Sequence, residues 1–417
     1  MRLLKRARLR TVGGQALFLA VSAGLAQLTI ALIFALAARA TDPASLGIVV
    51  SAMALGVALA GLTDFGTNSY WVRGIARGVM QTRELGILLI SKIAIGLVAS
   101  VCLAVSLAIV VPGTLLWTAG LLGFATLVGQ AAQTPLRGAA LGHLASIVVI
   151  FDRCSAVLAY FISTALGVPA PEALVVALFV GPIGSAVLAR YLTPSSRRPH
   201  ARPFAFRWPW SGARNFGVSS SFIAIQTMDV IILSALAAPS AAGIYGAVNK
   251  WVQPVTILAA SFASASAPFI ARTTHARESW KILRQAVWIP VVAVGGSCCL
   301  ALLAPWLVVT VLGEAYESAG IVLTILALAA IPGVLNQPLF VALQYLGRDR
   351  AAAFVLSFLV VLQLVLVALL APSLGAVACA LAVLSSQTAQ LAAFLLIAVR
   401  ELKRPHESQE RSAVDSQ

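Results

Sequence analysis

The pattern of hydrophobic and polar positions divides the chain into twelve long apolar runs separated by short polar connections. An α-helix needs about 20 apolar residues to cross a hydrocarbon core of about 30 Å, and these runs have that length. The pattern therefore predicts twelve membrane-spanning helices. They lie at Gly13–Ala38, Ser45–Thr63, Leu85–Val111, Leu115–Thr134, Leu141–Leu166, Ala173–Tyr191, Phe216–Ala237, Ala242–Ile270, Val287–Leu312, Ala319–Phe340, Ala351–Leu370 and Leu374–Val399.

The composition supports a membrane protein. Hydrophobic residues make up 60% of the chain and charged residues only 10%, whereas soluble domains carry about 25% charged residues. So few charges would not cover a water-facing surface, so we expect lipid around the chain. The net charge of +15 would suggest nucleic acid in a soluble protein. Here the positive charge lies in the connections between spans, and we expect no nucleic-acid partner.

The basic residues occupy alternate connections. Of the 29 lysines and arginines, 25 lie at the two termini and in every second connection. The intervening connections hold Arg39 beside acidic residues such as Asp42, Glu172 and Glu314. Under the positive-inside rule the basic set is cytoplasmic. We therefore expect a multi-pass protein of the cell (inner) membrane with both termini in the cytoplasm.

The two halves of the chain resemble each other. Pro43-Ala-Ser-Leu-Gly-Ile48 follows the first span, and Pro239-Ser-Ala-Ala-Gly-Ile244 follows the seventh. Six spans per half give a parallel repeat, one of the arrangements found in secondary transporters. We therefore predict an all-α, V-shaped transporter of two six-helix bundles with the substrate path between them. The predicted parts are a bundle at 1–191, a basic cytoplasmic linker at 192–215, a second bundle at 216–399 and a cytoplasmic tail at 400–417.

Several ionisable residues fall inside the predicted spans, where an ionised side chain costs at least ~2.5–3.5 kcal/mol near the bilayer centre. Asp229 and Lys250 are predicted to face a wet cavity between the halves, with Asp229 balancing the lysine or carrying a coupling ion. The competing interpretation is a structural ion pair. Asp152 and Arg153, adjacent in sequence, are expected to point in different directions. Lys92 is expected to reach the membrane surface with its flexible side chain.

No cofactor or metal site is expected. The five cysteines lie in apolar runs without metal-ligand spacing, and the four histidines do not cluster. Most glutamines and asparagines inside the spans are expected to join helices by hydrogen bonds.

Three segments resemble the polysaccharide (O-antigen-type) flippases of the multidrug/oligosaccharidyl-lipid/polysaccharide exporter superfamily. They are Thr63–Arg77 at the end of the second span, Met228–Leu233 with the following Ala242–Lys250, and Leu312–Ala319 before the tenth span. The resemblance implies translocation of an undecaprenyl-diphosphate-linked oligosaccharide for surface polysaccharide biosynthesis, without enzymatic activity. Its partners would be the lipid-linked oligosaccharide, membrane lipids and polysaccharide assembly proteins.

The diphosphate of such a substrate requires cations at the binding cavity. The candidate substrate-binding residues are Arg39, near the outer mouth, and Arg73, Asp229, Asn249 and Lys250, and Asp229 is also the candidate for ion coupling.

Four alternatives remain at this point. An ion-coupled multidrug or small-molecule exporter of the same superfamily would favour an acidic cavity. A lipid II flippase typically has two further spans. A polysaccharide polymerase or ligase has a long outer loop with catalytic residues, whereas the longest connection here is the basic one around Thr193–Asn215. A scaffold without transport activity would have no need for charges inside its spans.

Overall fold

The computed structural model describes residues 12–200, 206–213, 217, 221, 224–270, 288–345 and 348–402, and this part of the chain is almost entirely α-helical. Short 3-10 turns at Leu115–Trp117, Ser195–Arg197 and Glu314–Tyr316 precede or join helices. The helices are α1 Val12–Arg39, α2 Pro43–Asp64, α3 Thr67–Ala76, α4 Thr82–Val110, α5 Thr118–Gly138, α6 Gly142–Ala165, α7 Ala170–Leu192, α8 Met228–Leu236, α9 Pro239–Ile270, α10 Trp288–Leu312, α11 Ala319–Tyr345, α12 Asp349–Leu374 and α13 Ala376–Leu402.

The helices confirm the predicted membrane architecture. In the described part of the chain, nine helices are long and apolar enough to cross a membrane: α2, α4, α5 with its preceding turn, α6, α7, α10, α11, α12 and α13. Each of the twelve predicted spans overlaps one of the helices α1, α2 and α4–α13. The chain is therefore a multi-pass membrane protein.

The connections give the molecule two chemically different ends. We call the end that carries Arg77, Arg83, Arg137 and Arg190 the basic side. The other end, which carries Arg39 together with several carboxylates, is the acidic side. Its carboxylates include Asp42, Glu172, Glu314 and Glu317.

Helix α2 begins and ends where its sequence predicts. Asp42 caps the first turn, because its carboxylate accepts a hydrogen bond of 2.9 Å from the Ser45 backbone N–H. Pro43 occupies the first helical position, where the missing N–H costs nothing. At the other end Phe65 and Gly66 adopt left-handed conformations, with φ of 43° and 71°, and terminate the helix.

A short additional helix, α3, follows at once on the basic side. The prediction of spans did not include it, since its residues are too polar to cross a membrane. Its apolar side is anchored by Trp71, which is fully buried in a small cluster with Leu85 and Leu88 of α4. Helix α3 therefore packs along the basic end of the first half.

A buried ion pair fixes α3 between α2 and α4. The Lys92 ammonium donates to the Asp64 carboxylate at 2.7 Å, to the Asn68 side chain at 2.8 Å and to the Thr67 hydroxyl at 3.1 Å. It also lies 4.5 Å from the centre of the Trp71 ring. The Lys92 side chain is 0% exposed, so the expectation that it reaches the membrane surface was wrong. Its three ammonium protons have acceptors within the protein, so the side chain does not need to reach the lipid headgroups.

The two halves meet where the sequence repeats itself. A Cβ placed on Gly47 would overlap the carbonyl oxygen of Pro239, and a Cβ on Gly243 would overlap the carbonyl oxygen of Pro43. Such reciprocal contacts are what a twofold axis produces. The small side chains thus let α2 and α9 cross with their backbones in contact at the acidic side. The division of the chain into domains at 191 and 216 stays a prediction.

The linker that follows α7 packs on the basic side of the first half. The Trp210 indole N–H donates to the Thr63 carbonyl at 2.9 Å, and the Arg207 guanidinium forms an ion pair with Glu84 of α4. Residues 201–205 and 214–215 of this linker, and residues 403–417 of the predicted tail, lie outside the described residues.

Polar side chains also join helices in the second half. The Asn336 amide of α11 donates to the Gln387 backbone carbonyl at 3.0 Å and to its side-chain oxygen at 2.9 Å on α13. This pair confirms the expected role of intramembrane amides at one helix interface.

Candidate functional site

A cavity of about 430 Å³ lies between the halves of the molecule. Helix α2 of the first half lines one wall with apolar side chains, including Val50, Met53 and Val57. Helices α8, α9, α12 and α13 of the second half line the other walls, and most of these side chains are polar. The cavity is therefore asymmetric, with its hydrogen-bonding groups on the second half.

Asp229 lies on the polar wall at the start of α8. The helical segment around it is interrupted at Thr227, and Asp229 falls in the first turn after that break. Its carboxylate accepts hydrogen bonds from the Val230 backbone N–H at 2.7 Å and from the Tyr245 hydroxyl at 3.3 Å. A helix N-terminus favours negative charge, because its first N–H groups lack helical partners. The break thus stabilises an anion within the membrane.

Lys250 lies on the next helix, α9, close to the middle of the membrane. At a rise of 1.5 Å per residue, Lys250 lies about 16 Å along the helix axis from Pro239, the first residue of α9. This distance is about half the thickness of a hydrocarbon core. Its ammonium lies 6.0 Å from the centre of the Phe34 ring on α1. Among the described residues it makes no hydrogen bond and no ion pair shorter than 4.0 Å.

The charges around Lys250 come from both halves. The ammonium interacts electrostatically with the carboxylate of Asp229 and with the guanidinium of Arg153 on α6. Pro254, one turn further along α9, has no N–H, so the carbonyl of Lys250 loses its usual helical partner. Lys250 therefore presents a cation and a weakly paired carbonyl at the interface between the halves.

Uncharged polar side chains complete the cavity. Asn249 lines it beside Lys250. Amide groups also come from Gln226 in the segment before α8, Gln253 on α9 and Gln363 on α12. The Gln226 amide lies 3.4 Å from the Gln363 side-chain oxygen. Among the residues that the structure describes, the cavity thus offers donors and acceptors around the Lys250 ammonium and the Asp229 carboxylate.

Arg39 lies at the acidic side and does not line the cavity. Its guanidinium donates to the Thr310 carbonyl of α10 at 3.4 Å. Nearby, the Tyr316 hydroxyl donates to the Thr41 carbonyl at 3.4 Å, and burial raises the pKa of Tyr316, so that this group keeps its proton. Together with the Gly47 and Gly243 crossing, these contacts join the halves on the acidic side.

Arg73 lies elsewhere, near the end of α3 on the basic side, where its side chain is exposed. The structure therefore brings Asp229, Asn249 and Lys250 to one cavity and places Arg39 and Arg73 at opposite ends of the molecule.

The pair Asp152 and Arg153 departs from its prediction. Its two side chains were expected to point apart, yet the Arg153 guanidinium lies 3.9 Å from the Asp152 carboxylate. The arginine side chain is long enough for this contact between neighbours, and attraction between opposite charges is stronger away from water. Asp152 itself packs against Gly181 of α7, where a Cβ would crowd the carboxylate.

Sequence reasoning did not single out Tyr245, Gln226 or Gln253 as cavity residues. A helical spacing of four to eight residues places Tyr245, Asn249 and Gln253 on one face of α9, and this is the signal that would have found them.

No family model and no curated protein sequence matches the chain. Solved structures do match. An inward-facing multidrug resistance MATE family transporter of the MOP superfamily aligns with a TM-score of 0.67 at 14% identity, covering 92% of this chain and 96% of its own. The lipid II flippase MurJ, in an inward closed conformation, aligns with a TM-score of 0.72 at 11% identity, covering 91% of this chain and 87% of its own. This chain has their fold.

A third solved structure has the same fold. It is a MOP superfamily transporter from Pyrococcus furiosus, described as having a binding pocket of reverse polarity. It aligns with a TM-score of 0.61 at 14% identity and covers 94% of this chain and 97% of its own. The fold is thus shared by a multidrug resistance transporter and by a lipid II flippase, and the cargo of this chain has to be argued from its own cavity.

Proposed function

We propose that this protein translocates a lipid-linked oligosaccharide, carried on undecaprenyl diphosphate, across the cytoplasmic membrane by alternating access. The observation that carries the proposal is Lys250, a cation at the centre of the membrane that faces a cavity between the halves and has no close ionic partner among the described residues.

The chemistry of the cavity suits such a substrate. A diphosphate is an anion that accepts hydrogen bonds, and an ammonium held away from water binds it more strongly than one in bulk solvent. The amides of Asn249, Gln226 and Gln363 supply donors and acceptors for sugar hydroxyls. The apolar wall on α2 leaves room for a substrate whose tail stays in lipid.

The contacts between the halves at the acidic side are compatible with one state of a transport cycle. If the basic side is cytoplasmic, as the positive-inside rule predicts, the contacts of Arg39, Thr310, Tyr316 and Thr41 seal the outer end. Substrate would then enter from the cytoplasmic leaflet. Release requires these contacts to break while the halves rock about the cavity. We propose Arg39 as a residue that meets the diphosphate only at the outer mouth, and Arg73 as one that attracts it on the cytoplasmic side.

The proposal is tested by reconstituting the purified chain in proteoliposomes with a fluorescent undecaprenyl-diphosphate oligosaccharide. A membrane-impermeant reagent that modifies the sugar measures its arrival in the opposite leaflet. We expect translocation that depends on the protein and is absent in empty liposomes. Deleting the gene in its host should trap the lipid-linked oligosaccharide on the cytoplasmic face and remove one surface glycan. An unchanged surface glycan in the deletion strain would contradict the proposal.

A second candidate is an ion-coupled exporter of small molecules. The observation that favours it is Asp229, a carboxylate in the same cavity that can carry a proton or a sodium ion. Multidrug transporters of the same fold are among the solved structures that match. In this case the deletion strain keeps its surface glycan and becomes more sensitive to cationic drugs, which distinguishes the two candidates.

A further inference from the structure

A second cavity, of about 300 Å³, lies at the basic side of the first half, away from the one that contains Lys250. It lies between α4, α5 and α7, and the start of the linker closes its basic end. Its volume falls at the lower end of the range for ligand sites in proteins. The walls are mostly aliphatic and include Leu89, Ile93, Val128 and Ala132. An occupant therefore has to be apolar along most of its length.

The cavity opens sideways, toward the lipid. Ile90 of α4 and Val187 of α7 line it and are 53% and 67% exposed on the outer surface of membrane-spanning helices. Because lipid hydrocarbon surrounds these helices, it is the material that reaches the opening. Toward the basic side the linker crosses α4 closely, with the His200 backbone lying where a Cβ on Gly86 would be.

The basic end of the cavity carries cations. Arg190 and Arg198 line it there. The Arg198 guanidinium donates to the carbonyls of Thr193 at 2.8 Å and Tyr191 at 3.0 Å, which holds it at the end of α7. Two of its five N–H groups are used in this way. Arg190 makes no hydrogen bond or ion pair with the residues that the structure describes.

Among the described residues, no carboxylate forms an ion pair with Arg190 or Arg198. Glu84, in the first turn of α4, forms its ion pair with Arg207 of the linker. Arg83 adds a further cation on the same face of α4 as Gly86 and Ile90, at a spacing of three and seven residues. The positive charge at the end of the cavity is therefore available to an anion.

Aromatic side chains indicate how deep in the membrane the basic end of the cavity lies. Tyr191, which follows Arg190 on α7, is 76% exposed, and Phe206 and Trp208 of the linker are 63% and 57% exposed. Exposed aromatic residues of membrane proteins concentrate at the level of the lipid headgroups. The cations thus lie at headgroup depth and the aliphatic cavity lies beneath them.

We propose that this cavity binds an anionic phospholipid, with one acyl chain between α4 and α7 and the phosphate against Arg190 and Arg198. The apolar volume accounts for the chain, and the unneutralised arginines account for the charge of the headgroup, since basic residues beside a membrane surface attract anionic lipids. The bound lipid would also touch the linker at Arg198 and so hold the linker against the first half.

Native mass spectrometry of the full chain in detergent tests the proposal. The protein is incubated with an equimolar mixture of phosphatidylglycerol and phosphatidylcholine, and the retained lipid is counted. We expect phosphatidylglycerol to be retained several-fold better. Arg190→Ala should lower its retention about fivefold, the equivalent of about 1 kcal/mol. The matched control is Arg77→Ala, which removes an exposed arginine of the basic side that does not line the cavity and should change nothing.

A second variant tests the acyl-chain site. Ala132→Phe fills the cavity without touching the arginines and should abolish retention, while thermal unfolding in lipid-free detergent shows whether the variant still folds. Equal retention of both lipids would overturn the proposal, and so would unchanged retention in either variant. Displacement of phosphatidylglycerol by an equimolar amount of undecaprenyl diphosphate would identify the cavity as a substrate site and would also overturn it.

Discussion

Two lysines inside the membrane-spanning helices have opposite surroundings. Lys92 in the first half donates to Asp64, Asn68 and Thr67 and is fully enclosed. Lys250 in the second half faces a cavity and has no hydrogen-bond partner among the described residues. The cost of placing the first charge in the membrane is thus offset within the protein, and it stabilises the fold. The second charge remains available for a ligand. The same residue type serves structure in one half and, as we propose, transport in the other.

Removing the enclosed charge should have the largest effect. Lys92→Ala leaves the Asp64 carboxylate buried without a cation, and breaking a buried pair in this way costs about 3–5 kcal/mol. We expect a sharply lower unfolding temperature in detergent and little folded protein in the membrane. As a control, the double replacement Lys92→Met with Asp64→Leu removes both charges and should recover a large part of that loss. A single variant as stable as the parent would show that the pair contributes nothing.

Removing the charge in the cavity should affect transport and leave stability nearly unchanged. Lys250→Ala deletes one charge-assisted contact to the diphosphate, worth about 1.5–3 kcal/mol, so translocation in proteoliposomes should fall about 10- to 100-fold. The unfolding temperature should match that of the parent. Lys250→Arg keeps the charge and should keep most of the activity. If Lys250→Ala translocates normally, Lys250 does not bind the substrate.

The crossing of α2 and α9 at the acidic side provides a third test. Gly47→Ala introduces a Cβ that overlaps the Pro239 carbonyl, so α2 and α9 must separate, at a cost of about 1–2 kcal/mol. A cysteine at Met53, in a background without the native cysteines, should then react faster with a membrane-impermeant thiol reagent added from the acidic side. Gly295→Ala is the matched control, because a Cβ there meets nothing within 4 Å. Equal labelling of the Gly47→Ala variant and the parent would show that the crossing does not close the path.

The smallest effect is expected at the cap of α2. Asp42→Ala removes the hydrogen bond from Ser45 and should cost about 1 kcal/mol at pH 7. That bond lowers the pKa of the Asp42 carboxyl in the folded protein. Its stabilisation is therefore present above the unfolded pKa of about 3.9 and is lost as the pH falls through the lower folded value. The difference in unfolding temperature should shrink at acidic pH, and Asp42→Asn should behave nearly like the parent at neutral pH.

Much of the architecture was predictable from the sequence. The spans follow from local hydropathy, because each helix must itself satisfy its backbone hydrogen bonds in lipid. The repeat of Pro43 and Gly47 at Pro239 and Gly243 predicted two related halves, although the contact between the two motifs was not foreseen. Of the candidate residues, Asp229, Asn249 and Lys250 line one cavity because two neighbouring helices carry them.

Other features of the structure could not be predicted from the sequence. The side chain that pairs with Lys92 belongs to another helix, and hydropathy contains no information on which helix faces align. Arg73 was grouped with Lys250 by charge, whereas the structure places Arg73 at the basic side, away from the cavity that Lys250 lines.

The sequence by itself determined that this chain crosses the membrane many times, where its long apolar runs lie and which connections are basic. These properties depend on residues within one helix or one connection. Only the tertiary structure decided which of two lysines inside the spans has hydrogen-bond partners, that the halves contact each other at the acidic side, and that an aliphatic cavity lies under Arg190 and Arg198. Each of these depends on which helix faces meet, and in lipid that choice follows from close packing of small residues and interhelical hydrogen bonds.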